Sequence, residues 1–97
     1  MSETNRLSAK ELEELRLYLL IRAAEAGRDG ITLDLLFLSS KLQGFNCEVE
    51  HIRAECQYLA DLKFLVEIAD TLCKGHKKFR IYATGRDYLE HHGFPSS

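Results

Sequence analysis

The stretch KFRIYATGRDYLEHHG, Lys78–Gly93, decides the fold of this 97-residue chain. From Phe79 to Ala83, apolar residues alternate with charged or amphipathic ones, which is the period of a half-buried β-strand. Thr84 and Asp87 have the spacing of a capping box, in which two side chains satisfy free backbone amides at a helix start. The sequence therefore predicts that a strand gives way to a last amphipathic helix at this point.

Upstream of this stretch, the sequence predicts a hairpin with a basic tip. LVEIAD, residues 65–70, has the same period of two and is the expected partner strand. TLCKGHKK, residues 71–78, is polar, contains Gly75 and is typical of a hairpin tip. Within seven residues the hairpin carries four formal positive charges and one histidine, at Lys74, His76, Lys77, Lys78 and Arg80.

The first helix is predicted to carry two apolar stripes. Ser8 and Glu11 form a capping box that begins this helix, and Gly27 ends it. Because a helix with two apolar sides needs two surfaces to pack against, we expect one stripe to face the core and the other to face a second subunit of a homodimer. The expected core stripe comprises Leu12, Leu15, Leu19 and Ala23, and the expected dimer interface comprises Leu17, Leu20, Ile21 and Ala24.

Two further helices are predicted between the first helix and the hairpin. Ile31 is expected to form a short strand, and Thr32 to cap a second helix that ends at Gly44. Asn46 is then expected to cap a third helix over about residues 47–62. The apolar side of this third helix recurs at helical spacing and comprises Val49, Ile52, Cys56 and Leu59.

The composition is that of one soluble globular domain spanning residues 1–97. Hydrophobic residues make up 45% of the chain and charged residues 29%, and the length allows a core without metal or disulfide support. Residues 1–7 and 94–97 are expected to be flexible. The three cysteines form no CxxC pair and the first residues lack the apolar run of a signal peptide, so we expect a reduced, cytoplasmic protein.

The sequence indicates no metal, cofactor or catalytic site. Cys47 and His51 lie four residues apart on the third helix, but zinc usually needs four ligands in paired motifs and no second pair exists. No Ser-His-Asp or Cys-His arrangement and no phosphate-binding glycine loop can be argued. The chain is therefore expected to be neither an enzyme nor a cofactor-binding protein.

The predicted class is α+β and mostly helical, in the order helix, short strand, helix, helix, two-stranded wing and C-terminal helix. This is the order of a winged helix-turn-helix domain. FRIYATGRDYLE is similar to the segment that closes many winged-helix repressors, although here Gly85 directly follows Thr84. More closely, LRLYLLIRAAEAG, ITLDLLFLSSKLQGFNCEVEHIRAECQYLADLKFLVE and ATGRDYLEHHGFP, within residues 12–95, resemble a family of small winged-helix proteins encoded by Mu-like phages and prophages. The resemblance implies a DNA-binding transcriptional regulator.

In a winged helix, the third helix lies in the major groove and the basic hairpin contacts the DNA backbone. Gln57 is then placed to pair with adenine, and His51 to meet a base edge or a phosphate. Arg53, on the flank, either reaches a phosphate or forms an ion pair with Glu50 or Glu55. The full set of expected DNA-binding residues is Asn46, His51, Arg53, Gln57, Lys74, His76, Lys77, Lys78 and Arg80.

The net charge of −2 and an acidic third helix favour a different function. The carboxylates of this helix would repel phosphates, and they are Glu48, Glu50, Glu55 and Asp61. The alternative is a winged-helix module that docks on another protein through this acidic face. The wing cations and the family resemblance favour DNA.

Overall fold

The computed structural model describes residues 7–69 and 77–94, and over these residues the chain is an α+β domain. The described residues form four α-helices and a three-stranded antiparallel sheet. The helices are α1 (Ala9–Ala26), α2 (Leu33–Gln43), α3 (Val49–Asp61) and α4 (Ala83–His91). The strands are β1 (Ile31–Thr32), β2 (Leu65–Ala69) and β3 (Lys77–Ile81), and a single 3₁₀ turn, Gly27–Asp29, links α1 to β1.

The first two helices begin where the local sequence predicts. The Ser8 backbone N–H donates to Glu11 Oε1 (2.9 Å) and the Glu11 N–H donates to Ser8 Oγ (3.2 Å), so the capping box is confirmed. The bond from the Ser8 N–H, with a smaller contribution from the Ser8 hydroxyl, lowers the pKa of the Glu11 carboxyl. Thr32 Oγ1 accepts the Leu35 N–H (3.2 Å) at the start of α2, and Gly44 ends that helix with a left-handed φ of 108°.

The third helix begins later than predicted, and its cap is a different residue. Glu48 is the N-cap of α3, and its backbone N–H donates to Nδ1 of His51 at 3.0 Å. Asn46 is therefore not the cap, and it lies exposed in the link between α2 and α3. The predicted apolar side of α3 is confirmed, with one residue half-buried, Val49, and three buried, Ile52, Cys56 and Leu59.

The sheet places β3 between the two other strands, in the order β1–β3–β2. Both neighbours pair with β3 in antiparallel fashion, and Ile31 of β1 lies opposite Phe79. Phe79 and Ile81 are buried in the core. Lys78 and Arg80 lie on the outer face of the sheet, because successive strand residues point to opposite faces.

Strand β3 is shifted relative to the sequence prediction. It begins at Lys77 and ends at Ile81, two residues earlier at each end than the alternation indicated. Lys77 and Lys78 are therefore strand residues rather than part of the hairpin tip, and Ala83 is the first residue of α4. The rest of the predicted tip, residues 71–76, lies outside the described residues.

Helix α1 is central to the domain and contacts the three other described helices and β3. Leu15, Leu19 and Ala23 of the expected core stripe are fully buried. Leu20, expected as a dimer contact, is also fully buried within the single chain, so it has no surface to offer to a second subunit. The other expected dimer contacts are partly buried against the same core, namely Leu17, Ile21 and Ala24. The second stripe of α1 is thus packed mainly by the chain itself.

The Thr84–Gly85 pair lies inside α4 rather than before it, since Tyr82 is the N-cap of that helix. The Thr84 hydroxyl donates to the backbone carbonyl of Lys63, so the predicted capping box with Asp87 is wrong. Lys63 has a positive φ of 67°, which a residue with a side chain seldom adopts. The hydroxyl of Thr84 therefore ties the start of α4 to the turn between α3 and β2.

Gly85 allows α4 to approach this same turn closely. The Phe64 carbonyl accepts the Tyr82 N–H at 3.0 Å. A Cβ on Gly85 would press against that carbonyl oxygen and would lie 2.9 Å from Ile81 Cγ1. The rings of Phe64 and Tyr88 meet beside this contact at a centroid distance of 4.7 Å. Position 85 is a glycine because the first turn of α4 lies directly against the backbone at Phe64.

We expect Thr84→Val to lower the free energy of unfolding by about 1 kcal/mol, since it removes one hydrogen bond to a backbone carbonyl and keeps the branched shape. Thr84→Ser keeps the hydroxyl and is the matched control. Chemical denaturation followed by circular dichroism measures both variants. Equal losses in the two would show that the bond to Lys63 adds nothing to stability.

The described chain is held near both of its ends. Leu7 is partly buried against the core, and the Phe94 N–H donates to the Leu89 carbonyl at 2.9 Å. The other residues expected to be flexible, 1–6 and 95–97, lie outside the described residues.

Candidate nucleic-acid interface

The outward side of α3 is an acidic ridge. Glu50, Ala54, Gln57 and Asp61 recur at spacings of three and four and are exposed, opposite the buried side of the helix. The Gln57 side-chain amide donates to Asp61 Oδ1 at 3.1 Å. The amide expected to pair with adenine is thus bonded to a carboxylate of its own helix, and it must leave that carboxylate to reach a base.

His51 is exposed in the first turn of α3 and is oriented by the helix cap. Because its Nδ1 accepts the Glu48 N–H, the hydrogen of the neutral ring lies on Nε2. Nε2–H is therefore a donor available to a ligand at this end of the helix. Asn46 lies just ahead of the same turn, so the two residues expected to contact DNA here are close in sequence and both exposed.

Arg53 is exposed, and no other described residue forms an ion pair with it. The expected partner Glu55 is bonded instead to Arg16 of α1, whose Nε lies 2.5 Å from Glu55 Oε1. This hydrogen bond raises the pKa of Arg16, and the same guanidinium lies 4.3 Å from the centre of the Tyr58 ring. Arg53 is thus a solvent-facing cation, while Arg16 joins α1 to α3.

The wing cations divide between the two faces of the sheet. Lys78 and Arg80 share the outer face, two residues apart on β3. Lys77 lies on the opposite face, where its Nζ is 3.7 Å from Glu67 Oε2. The remaining expected wing contacts lie outside the described residues, and they are Lys74 and His76.

The outer face of the sheet sets each cation beside an aliphatic residue. Lys78 is paired with Ile68 of β2, and Arg80 is paired with Val66. Cross-strand neighbours have Cβ atoms about 5 Å apart, so the apolar stems of the cations pack beside these side chains and the charged ends project outward. The basic face therefore holds its charges at a defined spacing.

The acidic ridge and the basic sheet face lie on neighbouring elements. Helix α3 contacts β2, and β2 pairs along its length with β3. Binding of an extended polyanion to the sheet face would bring it towards a helix whose outward charges are mainly negative. The sheet face therefore attracts a phosphate backbone, and the carboxylates of the ridge repel one.

The cysteines of the described chain are core residues. Cys47 and Cys56 are free and buried, and burial, with a smaller effect of Glu55, raises the pKa of the Cys56 thiol to about 12. Such a thiol is protonated at neutral pH and packs as a small apolar side chain. Across residues 7–69 and 77–94, no three potential metal ligands converge, and no helix has the length and apolar content to cross a membrane.

Comparison of the chain with protein-family models, curated proteins and solved structures finds no match. The resemblance to small winged-helix proteins of Mu-like phages therefore stays a prediction. The surfaces of α3 and of the sheet carry the charges from which a function can be inferred.

Proposed function

We propose that this domain is a winged helix-turn-helix module that binds double-stranded DNA, as a small transcriptional regulator of the phage or prophage type. The order of elements, α1–β1–α2–α3–β2–β3–α4, and the strand order β1–β3–β2 support this assignment. Helices α2 and α3 pack on each other across residues 44–48, and this link starts with a left-handed glycine. In the proposed complex, α3 enters the major groove and the β2–β3 hairpin is the wing.

The observation that carries the proposal is the basic outer face of the sheet. Lys78 and Arg80 project from one face of β3, and no described carboxylate forms an ion pair with either of them. Lys77, on the other face, is paired with Glu67. Each unpaired cation can neutralise one phosphate and release a counterion, which gives affinity for DNA of any sequence.

The acidic ridge restricts the role of α3. Glu50 and Asp61 repel phosphates, but a carboxylate can accept a hydrogen bond from the cytosine amine. Arg53 and His51 supply donors on the flank and in the first turn, and Gln57 can pair with adenine once it leaves Asp61. We therefore assign affinity to the wing and discrimination between sequences to α3.

A salt titration of binding to random-sequence duplex DNA tests the proposal with the double variant Lys78→Ala/Arg80→Ala. We expect weaker binding to every duplex and a salt slope reduced by about two, because each lost phosphate contact removes about 0.9 of a released counterion. Lys77→Ala is the matched control, since it removes a cation of the same strand that lies on the other face and pairs with Glu67. This control should keep the wild-type slope.

Two results would count against the proposal. A double variant that binds as the wild type does would remove the wing from the interface, and a wild type that binds no duplex at low salt would end the DNA assignment. The second result favours the alternative, a module that docks on a protein through α3. Tyr58 and Leu62 support that alternative, because they are 44% and 43% exposed beside the acidic ridge and suit a basic, partly apolar partner.

A further inference from the structure

The outer face of α2 is an apolar stripe exposed to solvent. Leu35, Leu38 and Leu42 recur at spacings of three and four, and their exposed fractions are 52%, 53% and 80%. The opposite side of the helix faces the core through Leu33, Leu36 and Ser40. The stripe is therefore a separate surface on the far side of α2, and not an edge of the core.

A row of leucines on one helix face differs from scattered exposure. Single exposed leucines are normal on protein surfaces, but three in one row form a contiguous apolar patch. Such a row on a helix is the surface that another helix packs against. The occupant that fits this stripe is therefore helical and carries an apolar row of similar length.

Two exposed charged residues lie beside the stripe, one in the first turn of α2 and one in the last turn. Asp34 and Lys41 are seven residues apart, so both lie on the same side of the leucine row, about 10 Å apart along the helix axis. The midpoint between these charges falls beside Leu38, and so does the midpoint between Leu35 and Leu42. The face is thus approximately symmetric in shape about Leu38, and its two halves carry opposite charges.

This pattern is complementary to itself. A second α2, laid antiparallel across Leu38, would bring each Asp34 to a Lys41 of the other copy. A parallel copy would instead place the two Asp34 residues, and likewise the two Lys41 residues, on opposite sides of the leucine row, where neither charge meets one of opposite sign. The charges therefore select a second copy of this chain in the antiparallel orientation.

We propose that two copies of the chain associate through α2, antiparallel and about a two-fold axis near Leu38. The two Leu38 side chains then pack on each other, and Leu35 packs on Leu42 of the other copy, at a crossing angle of about 20°. One helix pair is at the small end of protein interfaces, so the association is reversible and depends on concentration. The interface uses neither α3 nor the outer face of the sheet, and it stands apart from the DNA-binding proposal.

Sedimentation velocity over a range of protein concentrations tests the interface. The wild type should shift from monomer towards dimer as the concentration rises. Leu38→Glu should weaken self-association at least about 100-fold, because it sets two carboxylates face to face on the axis. Leu62→Glu is the matched control, since it makes the same change at an exposed leucine beside α3, and it should leave self-association unchanged.

A charge exchange tests the orientation. Asp34→Lys and Lys41→Asp should each weaken self-association about tenfold, and the two changes together should restore it, because both opposite-charge pairs are formed again with their positions exchanged. Circular dichroism verifies that each variant is folded. A wild type that stays monomeric, or a dimer that Leu38→Glu leaves intact, overturns the interface. Single charge variants that associate as the wild type does overturn the antiparallel pairing.

Discussion

Replacing Gly85 with Ala should lower the free energy of unfolding by about 3 kcal/mol. In a helix without neighbours the same change would stabilise the protein, since alanine is favoured over glycine by about 1 kcal/mol. The sign is reversed here because the added Cβ would press against the Phe64 carbonyl oxygen and come within 2.9 Å of Ile81 Cγ1. That carbonyl cannot turn aside without losing its bond from the Tyr82 N–H.

Urea denaturation measures the effect of Gly85→Ala. Ala54→Gly, at an exposed position within α3, is the control for helix propensity and should cost about 1 kcal/mol. A Gly85→Ala protein at least as stable as the wild type would mean that α4 does not pack against the backbone at Phe64.

Leu20→Ala should cost about 3 kcal/mol, which combines the lost burial of the side chain with the cavity that remains. Leu20 is fully buried in the single chain, and the core around it is formed from α1 and the elements that contact α1. For the same reason, a charged residue at this position should unfold the domain rather than separate two subunits. The result distinguishes a core residue from an interface residue.

Leu42→Ala is the matched control for this second prediction. It deletes the same atoms from a helical leucine that is 80% exposed, so the change in stability should stay within about 0.5 kcal/mol. Both variants are compared by thermal unfolding at low protein concentration, where self-association adds nothing to stability. Similar melting temperatures for the two variants would place Leu20 outside the core.

Features that depend on neighbouring residues could be predicted from the sequence. Ser8 with Glu11, and Thr32 with the Leu35 N–H, are contacts within one helical turn, so the preferences of capping residues were sufficient. Gly44 ends α2 for an equally local reason, because its backbone is left-handed. The buried side of α3 followed from its helical period.

Two of the predictions that failed depend on contacts between distant parts of the chain. Thr84 has the spacing of a cap, but its hydroxyl bonds to the carbonyl of Lys63, 21 residues earlier, and no local pattern encodes that contact. The second stripe of α1, with Leu20, seemed surplus because periodicity does not show how many elements will surround a helix. The cap of α3 is Glu48 rather than Asn46, because the Glu48 N–H donates to the His51 side chain, and a histidine at this position is not part of the usual capping pattern.

For the candidate site, the sequence showed which residues are charged but not which way they face. Lys77 and Lys78 form one basic cluster if both belong to a hairpin tip. They lie on opposite faces because they are successive residues of β3. Arg16 had no assigned role, since its partners Glu55 and Tyr58 are far away in the sequence. The start of β3 and the contact between α1 and α3 thus determine which charges are exposed on this surface.

The central position of β3 constrains how the chain folds as it leaves the ribosome. Ile31 of β1 pairs with Phe79, and α1 packs against both β3 and α4. Because synthesis runs from the N-terminus, α1, β1, α2 and α3 emerge before the strand that joins them. Until Phe79 and Leu89 have been released, α1 lacks the part of its packing that β3 and α4 supply, and that part of its apolar surface stays open to water. Closure of the core therefore waits for β3 and α4, and folding follows the synthesis of these two elements.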